Sequence, residues 1–155
     1  MADTSVGRIL AIDFGLKRIG LAVSDALGIT AQGLPTRERS RLADDLQYIC
    51  ALVEGHAVGR VIVGNPISYA GADTSMSRQV AAFAEKLQRH LACPVELWDE
   101  RLTTAEAMRM LRASGLGIEK RRRARDRVAA SLLLQSYLDY QANERRRGES
   151  PEAGR

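Results

Sequence analysis

The sequence predicts an α/β domain built on a mixed five-stranded sheet, an antiparallel meander continued by parallel strands, with helices flanking it. Three observations lead there. Three short β-like segments stand close together near the N-terminus; from about residue 42 the apolar period becomes helical, and helical stretches then alternate with strands. No internal repeat or long linker divides the 155 residues. That length suits a single domain over residues 1–155 with a sizeable core, ordered from about 8 to 142 and followed by a flexible basic C-terminal tail.

Residues 1–7 read as a short tail. Ile9 to Phe14 and Ile19 to Val23 are compact apolar runs, and Gly15-Leu16-Lys17-Arg18 between them supplies turn chemistry, so a hairpin is expected. A third strand within Ile29 to Thr36 completes the meander, with Pro35 at its end or on an exposed edge. Leu42, Leu46, Ile49 and Val53 then recur at helical spacing, and Gly55 can stop that helix. Arg60 to Gly64 reads as a short buried strand, closed by Asn65-Pro66. A second helix carries Met76, Val80, Phe83, Leu87 and Leu91 as one stripe, and Pro94 introduces the strand Val95 to Trp98. Thr103 and Glu106 form a capping box for a helix bearing Ala107, Met110 and Leu111. A loop from Ser114 to Gly117 precedes a last helix through Val128, Leu132, Leu133 and Tyr137, and the chain after Asn143 is a polar, frayed tail.

The apolar fraction of 45% points to an ordered globule, and the formal charge of +4 is compatible with a polyanionic partner. Arginines crowd two late stretches, Lys120 to Arg127 and Arg145 to Arg147. Aromatic residues are 5% of the chain, too few for a single-strand binder built on stacking platforms. Cys50 and Cys93 lie far apart with no zinc-like spacing, so they read as buried free thiols, and His56 and His90 read as surface or helix-end residues. Met1 to Ser5 lacks the features of a signal peptide and no apolar run approaches a membrane span, so a cytoplasmic location without membrane contact is expected.

Chemistry concentrates at three acidic positions at the ends of regular elements. Asp13 sits near the end of an otherwise apolar strand, Asp99 and Glu100 follow the strand at 95–98, and Asp126 stands one turn before the last apolar stripe. A carboxylate at the end of a buried strand loses hydration and needs compensation. A divalent cation shared among carboxylates supplies it, and all-oxygen ligands suit magnesium or manganese. Two such ions about 4 Å apart activate water and stabilise a departing phosphodiester oxygen, with no cysteine or histidine nucleophile. Taken singly, each residue has an ordinary alternative: a turn hydrogen bond for Asp13, a helix cap for Asp99 or Glu100, an ion pair on a helix face for Asp126.

The run from Asp13 to Asp25, Asp-Phe-Gly-Leu-Lys-Arg-Ile-Gly-Leu-Ala-Val-Ser-Asp, resembles the opening signature of the YqgF (RuvX-like) family. Val63 to Pro66, Asp99 to Ala107 and Asp126 to Ala130 match that family too, in its order, across about residues 8–140. The family is described as Holliday junction resolvases and as nucleases that process the 5′ end of pre-16S ribosomal RNA. The resemblance implies a ribonuclease H-like fold and a magnesium (or manganese) site formed by Asp13, Glu100 and Asp126 as both metal ligands and catalytic residues. Asp99 and Glu100 should point in different directions along a strand, which favours Glu100 as ligand. One departure is visible: Gly64-Asn65-Pro66 stands where the family commonly has Gly-Leu-Pro, and the residues after it, Ile67 to Gly71, differ from the commonest version.

Lys17, Arg18 and Arg101 are candidates to hold the scissile or an adjacent phosphate. Six basic side chains from Lys120 to Arg127 surround Asp126, and Arg122, Arg123 and Arg125 among them are expected on a phosphate-tracking surface or a loop that delivers nucleic acid. Gly64 to Pro66 and Gly71 are first of all turn formers, and Trp98 is core or a wall of the site. The expected partners are structured RNA or branched DNA, pre-ribosomal particles among them, for a monomer or a homodimer. A nucleotide-binding ATPase relative also opens with Asp-x-Gly, but needs two such domains where this chain has room for one. A non-catalytic ribosome-assembly module retaining the fold is the remaining alternative.

Overall fold

The computed structural model describes residues 7–65, 75–99 and 118–149, with side chains described except at 118–126 and 149. The hairpin is formed by β1 (Arg8–Phe14) and β2 (Arg18–Ser24), and β3 (Ala31–Glu38) completes the meander. Then follow α1 (Leu42–Gly55), β4 (Val58–Asn65), α2 (Ser75–His90), β5 (Val95–Asp99) and α3 (Ile118–Glu149). The five strands form one sheet in the order β3-β2-β1-β4-β5, antiparallel from β3 to β1 and parallel from β1 through β4 to β5.

Strand alternation gives β1 two apolar faces. Leu10, Ile12 and Phe14 join Ile19, Leu21, Val23, Val61 and Val63 in a core covered by α1 and α2. Ile9 and Ala11 join Ala22 and Ile62 beneath Ala130, Leu133, Leu134, Tyr137 and Leu138 of α3. A strand buried on both faces reads as a continuous apolar run, which is what residues 9–12 show. The predicted stripes of α1 and α2 pack as the spacing requires. On α3 the fully buried residues are Ala130, Leu134 and Leu138 beside Leu133 and Tyr137, while Val128 and Leu132 are half-buried flanks. The helix lies across β1, β2 and β3, and the small Ala130 lets it approach the sheet.

Pro35 lies inside β3, an edge strand, where its missing N–H faces no partner strand. The ladder shifts there: Ile19 pairs with Arg37 and Leu21 with Leu34, so Pro35 and Thr36 together stand opposite Gly20, a β-bulge. α1 stops at Gly55 as expected, yet the left-handed residue is Ala57 (φ 53°), after His56 has donated its N–H to Leu52. His56 thus follows the end of α1 and His90 ends α2.

α3 begins at Ile118, where a helix is expected after Gly117, and the basic stretch Lys120 to Arg127 lies within it, which excludes the loop among its two expected settings. It differs at its other end: it runs on to Glu149, past Asn143, where a frayed tail is expected. Residues 143–148 are exposed all round, and a Glu144–Arg147 ion pair (3.6 Å) together with strong helix formers carries the last turns. The capping box at Thr103 and Glu106, the helix through Leu111, the loop from Ser114 to Gly117, and Pro66 to Gly71 lie outside the described residues. No helix among the described residues is long and apolar enough to cross a membrane.

Candidate active site

Parallel pairing aligns the C-terminal ends of β1, β4 and β5 along one edge of the sheet. Ile12 pairs with Val63 and Asn65 with Asp99, so Asp13, one residue before the end of β1, stands close to Asn65 and Asp99, which end the two adjacent strands. Asp13 is half-buried and, by alternation with Ile9 and Ala11, lies on the face that α3 covers. On β5, Glu96 and Trp98 meet α3, through the Tyr137 hydroxyl (2.6 Å to Glu96) and edge-on packing of Trp98 on Tyr137 and Tyr140. Asp99 therefore falls on the opposite face, with Val95. Trp98 packs between β5 and α3, and its buried Nε1 has no hydrogen-bond partner among the described residues.

α3 runs antiparallel to β1. Gln135 binds the start of β3, accepting from Ala31 N–H (3.2 Å) and donating to Ile29 O (3.1 Å), while Arg127 lies over Gly33 further along that strand. The N-terminal half of α3, which contains position 126, is thereby directed toward the end of the sheet where β1 stops. Glu100 and Arg101 lie outside the described residues, as do the side chains of Arg122, Arg123, Arg125 and Asp126. Among the described residues no three His, Cys, Asp or Glu side chains converge.

The turn beside Asp13 is held by Gly15, expected as turn chemistry, and by Arg39 and Asp45, which have no obvious signature in sequence. Gly15 N–H donates to Arg18 O (2.9 Å), and a Cβ at Gly15 would stand 2.6 Å from that oxygen, so the tight turn requires glycine. Lys17 is exposed and Arg18 half-buried. Arg39 lies over the Phe14 ring (4.4 Å) and donates to Gly15 O and Leu16 O (3.2 and 3.3 Å), while its own N–H binds Lys17 O (2.9 Å). Behind it the fully buried Asp45 accepts from Arg37 Nε (3.0 Å), Ser40 N–H and Ser40 Oγ, with Arg39 Nε 3.8 Å from its other oxygen. α1 has no side-chain cap, and Asp45 in its first turn instead ties the incoming chain to the helix. Alternate arginines at 37 and 39 before Asp44-Asp45 are the only sequence trace of this clamp, and nothing in them marks which aspartate is buried.

Away from this edge the thiols are ordinary. Cys50 and Cys93 are free and half-buried, and burial raises both above the usual thiol range, which suits packing rather than nucleophilic work.

Comparison with known proteins agrees with this fold. The profile of the RuvX family, described as Holliday junction resolvase, matches residues 7–140. A protein of Koribacter versatilis bearing the name "Putative pre-16S rRNA nuclease" is 47% identical over 90% of this chain and 91% of its own length. A protein of Syntrophus aciditrophicus with the same name is 44% identical over 89% of this chain and 92% of its own. Among solved structures, Thermus thermophilus RuvC in complex with a Holliday junction superposes with a TM-score of 0.54 at 13% identity, covering 88% of this chain and 96% of that one. Fowlpox virus resolvase with its junction DNA gives 0.52 at 12%, over 86% and 98%. At such identities the likeness concerns the fold, and the ribonuclease H-like arrangement expected from the sequence is present.

Proposed function

Because this chain belongs to the RuvX family, we propose that it is a nuclease that hydrolyses phosphodiester bonds, with the 5′ end of pre-16S ribosomal RNA as its substrate. The observation that carries the reading is the placement of Asp13: a half-buried carboxylate at the end of the central strand, where parallel strands stop together and α3 closes one face. The relatives that are 47% and 44% identical, with their shared name, support the substrate.

We assign Asp13, Glu100 and Asp126 as the metal-binding and catalytic residues. The position of Asp99 on the face away from α3 supports Glu100 as the partner from that end of β5. Position 126 is one helical turn before Ala130, in register with the stripe that α3 buries against the sheet, which supports Asp126. The donor set is all oxygen, and a half-buried Asp13 needs charge compensation, so the residues fit a hard divalent cation such as magnesium or manganese. Bound there, the ion would lower the pKa of water and stabilise charge on the phosphodiester. The chain's own part is to hold the carboxylates on rigid elements and to fix the phosphate with Lys17, Arg18, Arg101 and the α3 arginines Arg122, Arg123 and Arg125.

A second reading, cleavage of four-way DNA junctions, is favoured by the family's description. Magnesium titration of cleavage on a pre-16S RNA substrate and on a DNA junction separates the two. We expect cleavage of the RNA that depends on the ion. Asp13→Asn should take turnover below detection while thermal stability and most nucleic-acid affinity persist. Undiminished turnover by that variant would remove Asp13 from the site, and binding without cleavage of either substrate would leave a non-catalytic module.

A further inference from the structure

The sheet face that carries Asp13 continues sideways into a second feature. Asp13 pairs directly with Gly20 across β1 and β2, and the bulge sets Pro35 and Thr36 opposite Gly20 on β3. Two strand spacings, about 10 Å, separate Asp13 from this bulge, and the residue between them has no side chain. Over the bulge lies a groove of about 360 Å³ lined by Arg18, Pro35, Thr36, Glu38 and Arg127.

Three observations give the groove the chemistry of an anion site. The Thr36 hydroxyl is buried and has no hydrogen-bond partner among the described residues, a cost that an incoming oxygen ligand would relieve. Arg127 reaches the groove from α3 with its stem laid across Gly33: a Cβ there would collide with Arg127 Cγ and stand 2.9 Å from Cδ. Glycine at 33 therefore leaves room for this stem to lie along the strand toward the groove. Arg18, the cross-strand partner of Glu38, brings a second guanidinium. Two arginines and one glutamate leave the lining with a net positive charge, and guanidinium donors beside a hydroxyl match phosphate oxygens.

We propose that this groove binds a backbone phosphate of the nucleic-acid strand, next to the phosphate at Asp13, through Arg127 and the Thr36 hydroxyl, with Arg18 shared between the two phosphates. The site deepens the nuclease reading and rests on it for its ligand. It sets the path of the strand: from the end of β1, over Gly20, and out between β3 and α3. Glu38 opposes the anion, so its charge limits affinity, and removing that charge has a predictable sign.

The test is binding by fluorescence anisotropy in a salt series, with labelled pre-16S RNA hairpin and DNA junction as probes, on full-length chain carrying Asp13→Asn to prevent turnover. Arg127→Gln should weaken binding several-fold and lower the slope of log affinity against log salt by about 1, and Arg127→Lys should restore the slope. Thr36→Val should weaken binding without changing the slope, and Glu38→Gln should tighten it. Gly33→Ala should mimic Arg127→Gln, and if it unfolds, the exposed Arg127 still decides the matter. An unchanged affinity and slope for Arg127→Gln, or weaker binding for Glu38→Gln, would overturn the proposal. Cleavage by the protein with Asp13 intact is scored separately. Cleavage with an unaffected slope removes the groove alone, a reduced slope without cleavage removes the nuclease reading alone, and failure to bind either probe removes both.

Discussion

Asp45 shows how one buried side chain can govern a site it does not enter. Its carboxylate is fully buried among Arg37, Arg39 and Ser40, and Arg39 in turn grips the carbonyls of the turn that presents Lys17 beside Asp13. Removing one partner of a buried charged cluster strands the others. Asp45→Ala should cost about 3 kcal/mol, read as a lower denaturant midpoint at unchanged m, because Arg37 and Arg39 keep some solvent and are not wholly stranded. The same variant should bind nucleic acid less tightly at temperatures where it is folded. Asp13 was legible in sequence, since a carboxylate ending an apolar run is conspicuous. Asp45 was not, because an aspartate in the first turn of a helix is ordinary and only the return of β3 brings arginines onto it.

Among the elements, α3 departs furthest from its sequence pattern. Its central turns pack on three strands, whereas residues 143–148 extend into solvent. Stability comes from the packed part, so a chain ending at Ala142 should lose helical circular dichroism while its unfolding free energy changes by less than about 1 kcal/mol. A large drop would mean that the extension packs on something. The expectation of a frayed tail from Asn143 rested on the loss of apolar periodicity, which marks the end of packing and not the end of the hydrogen-bonded helix. Strand boundaries were clearer: the meander, β4 and β5 were readable because buried strands have few residues and strong punctuation. The bulge at Pro35-Thr36 was not, since a ladder shift depends on both strands at once.

At the scale of the whole molecule, Tyr137 ties α3 to the far edge of the sheet through Glu96, which also pairs with Arg60 of β4 (3.0 Å). Burial first, and the Glu96 carboxylate second, push the Tyr137 hydroxyl up to about 12 from 10.0. A folded-state value above the unfolded one means that the tyrosine's contribution to stability is complete below pH 10 and is lost as pH rises from 10 toward 12. Denaturant melts across that window should show falling stability, and Tyr137→Phe should flatten the decline. An equal decline in the variant would assign the effect to other groups.

By itself the sequence determined the types and order of the described elements, the family and the acidic positions that the proposed chemistry uses, because periodicity, turn chemistry and motif are local properties of the chain. Only the tertiary structure decided which face of the sheet Asp13 occupies, which side Asp99 takes, and that Arg18, Thr36 and Arg127 share a groove. Those are relations between strands and a helix distant in sequence, fixed by register and packing once the core has closed.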